Sequence, residues 1–247
     1  MMMKANWRIH TLEFKKASGT SRGVLHQKPS YFIRAEKDGK LGFGECALLP
    51  GLSIDDRPDY TDRLEQSCSD FVSGVAAQDL LEGLLEWPSI RFGWEMALAE
   101  LGEIKLGNWQ DSAFENGSAG VPINGLIWMG DIEDQRQQLH RLYEQGFRVI
   151  KFKIGKDLFE GSYALLEEAR DLDADLEIRV DANGAYGVRE ALEIMEELVD
   201  LQVHSIEQPI APGKWREMAK LVERAMVPIA LDEELILCPH DQRDELI

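Results

Sequence analysis

Two hydrophobic patterns follow one another in the first part of the chain. Residues 7–12 and 31–35 alternate apolar with polar side chains, as half-buried strands do, and the turn sequence at 37–40 follows the second run. Across residues 58–103, small and apolar side chains instead recur every three or four positions, which is the helical period. We therefore predict that residues 1–112 form an α+β domain with a small antiparallel sheet.

The second part of the chain alternates short apolar runs with helical stretches. The apolar runs are 121–127, 148–153, 176–181, 203–207 and 227–232. The Glu- and Leu-rich stretches between them are 131–145, 159–171, 189–200 and 215–225, and 108–120 is predicted to be a linker. This alternation is typical of a (β/α) TIM-type barrel, which needs eight strands and typically about 250 residues. Residues 113–247 therefore predict a barrel truncated to about five βα units.

Composition narrows the classes of partner. With 247 residues, 44% of them hydrophobic, the chain can bury a sizeable core. Its net charge of −18 disfavours nucleic acid and anionic membranes, and favours a cationic ligand such as a divalent metal. No apolar stretch approaches the roughly 18 residues of a membrane span. Since residues 1–10 lack a signal-peptide pattern and the three cysteines form no Cys-x-x-Cys pair, we expect a cytoplasmic protein.

Charged residues end four successive apolar runs. Lys153, Asp181, Glu207 and Asp232 are spaced 25 to 28 residues apart, one per βα unit. In a parallel barrel the carboxyl ends of the strands line the active-site mouth, so we expect these side chains to meet. Three adjacent carboxylates repel one another unless a cation lies among them. Asp181, Glu207 and Asp232 are therefore predicted to bind Mg²⁺, with Mn²⁺ possible.

Two lysines share one strand face beside this predicted metal site. Lys151 and Lys153 are two residues apart, so both side chains point to the barrel interior. We expect each ammonium to depress the pKa of the other, which would help Lys153 to act as a base near pH 7. A base beside a metal suits proton removal next to a carboxylate, because the metal stabilises the enediolate that forms.

Each feature taken alone has a simpler interpretation. A Lys-x-Lys pair is usually a solvated edge, and Asp181 before 182–184 could cap a strand-to-helix turn. Glu207 precedes Pro209, which could simply end a strand, and Asp232 could begin a helix. Their coincidence at successive strand ends favours the metal site.

Four motifs together resemble the enolase superfamily, in its muconate-cycloisomerase-like branch. They are Lys151-Phe-Lys153, Val180-Asp-Ala-Asn183, Glu207-Gln-Pro209 and Leu231-Asp-Glu-Glu234. Within that branch, 89–97, 122–130 and 204–210 resemble o-succinylbenzoate synthases of Bacteroidetes-like sequences. The resemblance implies a lyase of menaquinone synthesis that dehydrates 2-succinyl-6-hydroxy-2,4-cyclohexadiene-1-carboxylate, a small-molecule carboxylate. It implies that Lys153 accepts and returns the proton with Lys151 as its partner, and that Asp181, Glu207 and Asp232 bind Mg²⁺.

The resemblance also implies that the first domain is a capping domain. Segments 18–28 and 45–55 match mobile loops that close over the barrel mouth in that family. Arg22 could pair with a substrate carboxylate, although an arginine in an exposed loop is usually solvated. Asn124 could hydrogen-bond the substrate, or it could merely initiate the turn at Gly125.

The sequence departs from the family pattern after residue 247. The family carries a second lysine on the next strand, followed by strands that close the barrel, and neither follows here. The chain is thus expected to be an incomplete enzyme, either a fragment of a longer protein or a natural truncation. A dipeptide epimerase, an N-acylamino acid racemase and an inactive remnant remain alternatives, and the sequence does not set an oligomeric state.

Overall fold

The chain folds into two compact units, Met1–Val121 and Pro122–Ile247, in a computed structural model that describes residues 3–20, 23–105, 112–155 and 159–238. Each unit has its own cluster of buried apolar side chains. Among the described residues, no helix is long and apolar enough to cross a membrane.

The first unit packs three helices on an antiparallel sheet. The strands, in the order β1-β2-β3, are β1 (Met3–Thr20), β2 (Gly23–Lys37) and β3 (Lys40–Cys46). The helices are α1 (Tyr60–Ser73), α2 (Ala77–Glu82) and α3 (Pro88–Leu101). Ile33 and Ala35 alternate with more exposed neighbours and lie in one buried cluster with Leu64 and Trp94. The predicted sheet and the predicted change to helices are confirmed.

Glycines allow close approach between β3 and α3. A Cβ added at Gly44 would overlap the carbonyl oxygen of Gly93, and one added at Gly93 would lie 2.5 Å from Cys46 Sγ. Hydrogen in place of a side chain at these positions therefore lets the helix backbone rest directly on the strand.

Segment 18–28, which matches a mobile loop of the resembled family, lies in strands over its described residues, 18–20 and 23–28. β1 continues to Thr20 and β2 begins at Gly23, with Ser18 opposite Leu25 and Gly19 opposite Val24. The pairing shifts register between Glu13 and Ser18, so an irregularity in the ladder separates this outer hairpin from the rest of the sheet. The glycines in this segment therefore belong to paired strands.

The second unit is built on a parallel sheet whose strands follow chain order. The strands are β4 (Gly125–Ile127), β5 (Val149–Lys153), β6 (Glu177–Asp181), β7 (Ser205–Glu207) and β8 (Ile229–Ala230). The helices are α4 (Ile132–Glu144), α5 (Phe159–Leu172), α6 (Val188–Asp200), α7 (Trp215–Val222) and α8 (Glu233–Leu237). Every predicted apolar run contains one of these strands. Because the strands are parallel and adjacent, their carboxyl ends lie along one edge.

Candidate active site at the strand ends

Two lysines and two acidic residues meet at the carboxyl ends of β5, β6 and β7. Pairing places Lys153 opposite Asp181 and Asp181 opposite Glu207. Lys151 Nζ lies 2.9 Å from both carboxylate oxygens of Glu207 and 3.1 Å from Asp181 Oδ2. Lys153 Nζ lies 2.5 Å from the same Asp181 oxygen. The structure thus makes Asp181, which is fully buried, the acidic residue shared by both lysines.

A tight turn after β6 sets the surroundings of Asp181. The backbone N–H of Asn183 donates to Asp181 Oδ1 at 3.0 Å, and Asn183 has a positive φ of 45°, which asparagine tolerates better than most residues. Gly184 follows with φ 75°, and a Cβ there would lie 2.9 Å from Ala211 Cα. Asn183 Oδ1 accepts a hydrogen bond from Lys153 Nζ at 3.0 Å. This turn therefore brings a neutral amide to the predicted base.

The neighbouring charges change the protonation of these groups. Burial raises the pKa of Asp181, but the hydrogen bond from Lys153 and the charges of both lysines outweigh it, so the pKa is lowered. Burial and the charge of Asp181 raise the pKa of Glu207 despite the hydrogen bond from Lys151. Burial lowers the pKa of Lys151, but its contacts with Glu207 and Asp181 have the larger effect. The pKa of Lys151 is therefore raised above its usual value. The predicted depression is therefore wrong for Lys151, because carboxylates from neighbouring strands dominate over the second lysine.

The third predicted metal ligand is placed differently. Asp232 is exposed, and its backbone N–H donates to Gln208 Oε1 at 3.1 Å. In the described part of the chain, no three histidine, cysteine or acidic side chains are grouped as a metal site would require. The structure thus brings Asp181 and Glu207 together and does not add the Asp232 carboxylate to them.

Buried polar residues next to the predicted ones complete the strand ends. Gln208 is fully buried, and its Oε1 also accepts from the backbone N–H of Glu234 at 3.1 Å. Glu234, itself buried, accepts from the backbone N–H of Gly213 at 2.8 Å. Glu233 Oε1 accepts from Asn183 Nδ2 at 2.9 Å. The sequence motifs contained these residues, but the spacing argument assigned chemistry only to the residue that ends each strand.

The remaining predicted residues lie outside this cluster of contacts. Asn124 Nδ2 donates to the carbonyl oxygen of Gly125 at 2.9 Å, which is a local turn contact. Arg22 lies outside the described residues. Trp128, which sequence reasoning missed, follows β4 and has its ring centre 6.0 Å from Lys153 Nζ. An aromatic face at that distance is at the limit of a cation–π contact with the predicted base.

Comparisons with known proteins show the family of this chain. Residues 134–244 match the family described as Enolase C-terminal domain-like. An o-succinylbenzoate synthase from Desulfotalea psychrophila is 36% identical over 99% of this chain and 75% of its own length. The chain belongs to the enolase superfamily. Within the superfamily, it is similar to the crystal structure of MenC from Desulfotalea psychrophila, with a TM-score of 0.75, 33% identity, and coverage of 100% of this chain and 75% of that one.

A structure of lower sequence identity shows the fold alone. The dipeptide epimerase from Enterococcus faecalis, complexed with Mg and the dipeptide L-Leu-L-Tyr, has a TM-score of 0.77 at 18% identity. The match covers 94% of this chain and 68% of that one. One fold can therefore be shared by proteins whose names describe different reactions.

Proposed function

We propose that the protein is an o-succinylbenzoate synthase-type lyase of menaquinone biosynthesis. Its substrate would be 2-succinyl-6-hydroxy-2,4-cyclohexadiene-1-carboxylate. Loss of the proton on the carbon beside the carboxylate, followed by loss of hydroxide from the ring, gives o-succinylbenzoate and water. The observation that carries the proposal is the meeting of Lys153 with Asp181 at the strand ends, in a chain 36% identical to such a synthase.

The two lysines have different roles in this proposal. Lys153 contacts one carboxylate and one neutral amide, and in its neutral form it takes the substrate proton. The resulting ammonium returns that proton to the departing hydroxide. Lys151 contacts both Asp181 and Glu207 and has a raised pKa, so it stays charged. Lys151 thereby offsets part of the acidic charge beside the base.

The acidic side chains suit Mg²⁺. Asp181 and Glu207 supply carboxylate oxygens, which hard divalent cations prefer, and these oxygens already converge on a cation, the Lys151 ammonium. Asp232, which follows the adjacent strand, is the third residue that would hold the ion in this proposal. The metal would stabilise the charge that develops on the substrate carboxylate. The same oxygens would accept Mn²⁺.

The two units fit this function as a capping domain and part of a barrel. We assign residues 1–112 to the capping domain and 113–247 to a partial (β/α) TIM-type barrel. The five parallel strands in chain order support the second assignment. A small carboxylate substrate and a cytoplasmic location are part of the same proposal.

The test is to make Lys153→Ala in the full-length protein and to measure its dehydration activity. Removing the base should lower kcat by about 10³-fold or more, since general bases contribute roughly 10² to 10⁴. Lys214→Ala, at a half-exposed lysine before α7, is the control and should retain full activity. Activity of Lys153→Ala within a few-fold of the unchanged protein, or no dehydration by the unchanged protein, would contradict the proposal.

The alternative reactions are dipeptide epimerisation and N-acylamino acid racemisation. They are considered because the fold is similar to that of the Enterococcus faecalis epimerase. Both reactions need a base on each face of the substrate carbon, whereas the lysines at the described strand ends, Lys151 and Lys153, share one strand. Dehydration requires one base. Parallel assays of dehydration and of α-proton exchange on dipeptides and N-acylamino acids distinguish these functions.

A further inference from the structure

Glu233 is connected to the predicted base through one intervening side chain. We propose that Glu233 is a positioning residue that fixes the orientation of Lys153 through the amide of Asn183. This inference rests on the proposed function in so far as Lys153 is the base. Asn183 Oδ1 accepts from Lys153 Nζ at 3.0 Å, while Asn183 Nδ2 donates to Glu233 Oε1 at 2.9 Å.

The charged groups on the two sides of the Asn183 amide define its orientation. Its oxygen faces an ammonium, which only donates, and its nitrogen faces a carboxylate, which accepts. A rotation by 180° would place N–H groups against the ammonium of Lys153 and the amide oxygen against Glu233, so both contacts would become repulsive. Without Glu233, only the contact with Lys153 would oppose that rotation.

The burial of Glu233 indicates that the hydrogen bond from the Asn183 amide is its main polar contact. Glu233 is 8% exposed, and its Oε2 is buried without a hydrogen-bond partner among the described residues. Burying a carboxylate oxygen without a partner costs free energy. The polar contact of its side chain, through Oε1, is with Asn183. An apolar side chain could fill this position without that cost, whereas the contact with Asn183 needs the Oε1 oxygen.

The backbone on both sides of the contact is held in place. The backbone N–H of Asn183 is bound by Asp181 Oδ1, and Gln208 Oε1 accepts from the N–H groups of Asp232 and Glu234, which flank Glu233. Other hydrogen bonds therefore hold the backbone at both ends of the Asn183–Glu233 contact. This rigidity is what a positioning pair requires.

A double-mutant cycle of Glu233→Ala and Asn183→Ala tests the proposal without requiring turnover. Competitive acetylation followed by peptide mass spectrometry reports the reactivity of each lysine. We expect each single change to raise acetylation of Lys153 at least about threefold, and the double variant to match Asn183→Ala because the effects act through one amide. Lys151, whose contacts with Asp181 and Glu207 stay intact, is the internal control and should not change.

Conservative variants give a second measure. Glu233→Gln keeps an acceptor for Asn183, so Lys153 acetylation should stay as in the unchanged protein. The side chain in Glu233→Asp is one carbon too short to reach Asn183, so this variant should behave as Glu233→Ala does. In dehydration assays, Glu233→Ala should lower kcat about tenfold while KM stays within about threefold, and Glu233→Gln should rescue kcat. Glu196→Ala, at an exposed position on α6, is the matched control.

The outcomes separate this inference from the proposed function. Unchanged Lys153 acetylation in Glu233→Ala, or additive effects in the double variant, would overturn the positioning role even if the enzyme is a lyase. Should Glu233→Ala fail to fold, the comparison of Glu233→Asp with Glu233→Gln decides the same question. A coupled acetylation pattern in a protein without dehydration activity would uphold the positioning role and refute the proposed function.

Discussion

Lys151 and Lys153 lie two residues apart on one strand, yet their surroundings differ. Lys151 contacts two carboxylates, whereas Lys153 contacts one carboxylate and a neutral amide. Negative charge around an ammonium stabilises its protonated form. At the residue scale, the carboxylates from neighbouring strands keep Lys151 a cation, whereas Lys153 also contacts the neutral amide of Asn183.

Replacing that fixed cation should expose the repulsion between its acidic partners. Lys151→Met leaves Asp181 and Glu207 without their shared ammonium, and we expect a loss of about 1–3 kcal/mol in the free energy of unfolding at pH 8. The pKa of Glu207 is already raised and should rise further, so Glu207 gains a proton as the pH falls and the repulsion weakens. The deficit should therefore shrink toward pH 5.

Urea unfolding of Lys151→Met and the unchanged protein at both pH values measures this effect. Lys214→Met, at a half-exposed lysine, is the control and should cost less than about 0.5 kcal/mol. Equal deficits at pH 8 and pH 5 would contradict the electrostatic explanation.

The buried thiol of Cys68 should resist alkylation in the folded protein. Burial, together with the charge of Glu65, raises the pKa of Cys68 to about 12. At pH 8 only about one such thiol in ten thousand is the reactive thiolate. We expect no iodoacetamide labelling of Cys68 by mass spectrometry until denaturant is added. Labelling within minutes under native conditions would show that this part of the first unit opens readily.

At the element scale, the contact of β3 with α3 depends on glycine. Gly44→Ala places a methyl group against the carbonyl oxygen of Gly93, and neither backbone can move without separating the strand from the helix. We expect a loss of about 2–4 kcal/mol in the free energy of unfolding, as for overpacked or strained cores. Gly161→Ala, in α5 where an added Cβ meets nothing within 4 Å, should instead gain up to about 1 kcal/mol.

Thermal and urea unfolding of both glycine variants provide the measurement. A Gly44→Ala protein as stable as the unchanged one would mean that β3 and α3 do not pack as closely as described.

The elements differ in how well their sequence predicts them. Runs such as 148–153 are short and apolar and lie between helical stretches, so the local pattern predicts β5 and its neighbours. Segment 18–28 contains glycines and polar residues, and its strand character arises from pairing of Ser18 with Leu25 across the hairpin, which no local pattern encodes. Strand pairing of this kind depends on tertiary context.

The candidate site also has some features that the sequence predicts and others that it does not. Spacing predicted that Asp181 and Glu207 end adjacent strands, because one βα unit separates them. It did not predict the direction of Asp232, since β8 has only two residues and a two-residue strand does not fix the side chain that follows. It also missed Glu233, whose contact with Asn183 joins residues 50 positions apart. Such contacts are set by the fold rather than by local sequence.

At the scale of the whole molecule, the parallel sheet gathers charges that are far apart in sequence. The order β4 to β8 places successive carboxyl ends along one edge, so residues about 25 apart become neighbours. Because the chain carries a net charge of −18, a divalent cation is attracted to the protein as a whole as well as to this edge of the sheet. Non-specific attraction and specific binding must therefore be separated in any test of the metal site.

Addition of Mg²⁺ should stabilise the protein more than NaCl of equal ionic strength does. A ligand at 100 times its dissociation constant adds about 2.7 kcal/mol, and 1 kcal/mol shifts Tm by about 2–4 °C in a protein of this size. We expect the Mg²⁺-specific shift to disappear in Asp181→Asn, because this variant lacks the buried carboxylate that both lysines share. Glu168→Gln, which alters an acidic residue paired with Arg136 on another surface, should keep the shift. An equal Mg²⁺ shift in Asp181→Asn and the unchanged protein would place any bound metal elsewhere, because screening and binding at other carboxylates do not depend on Asp181.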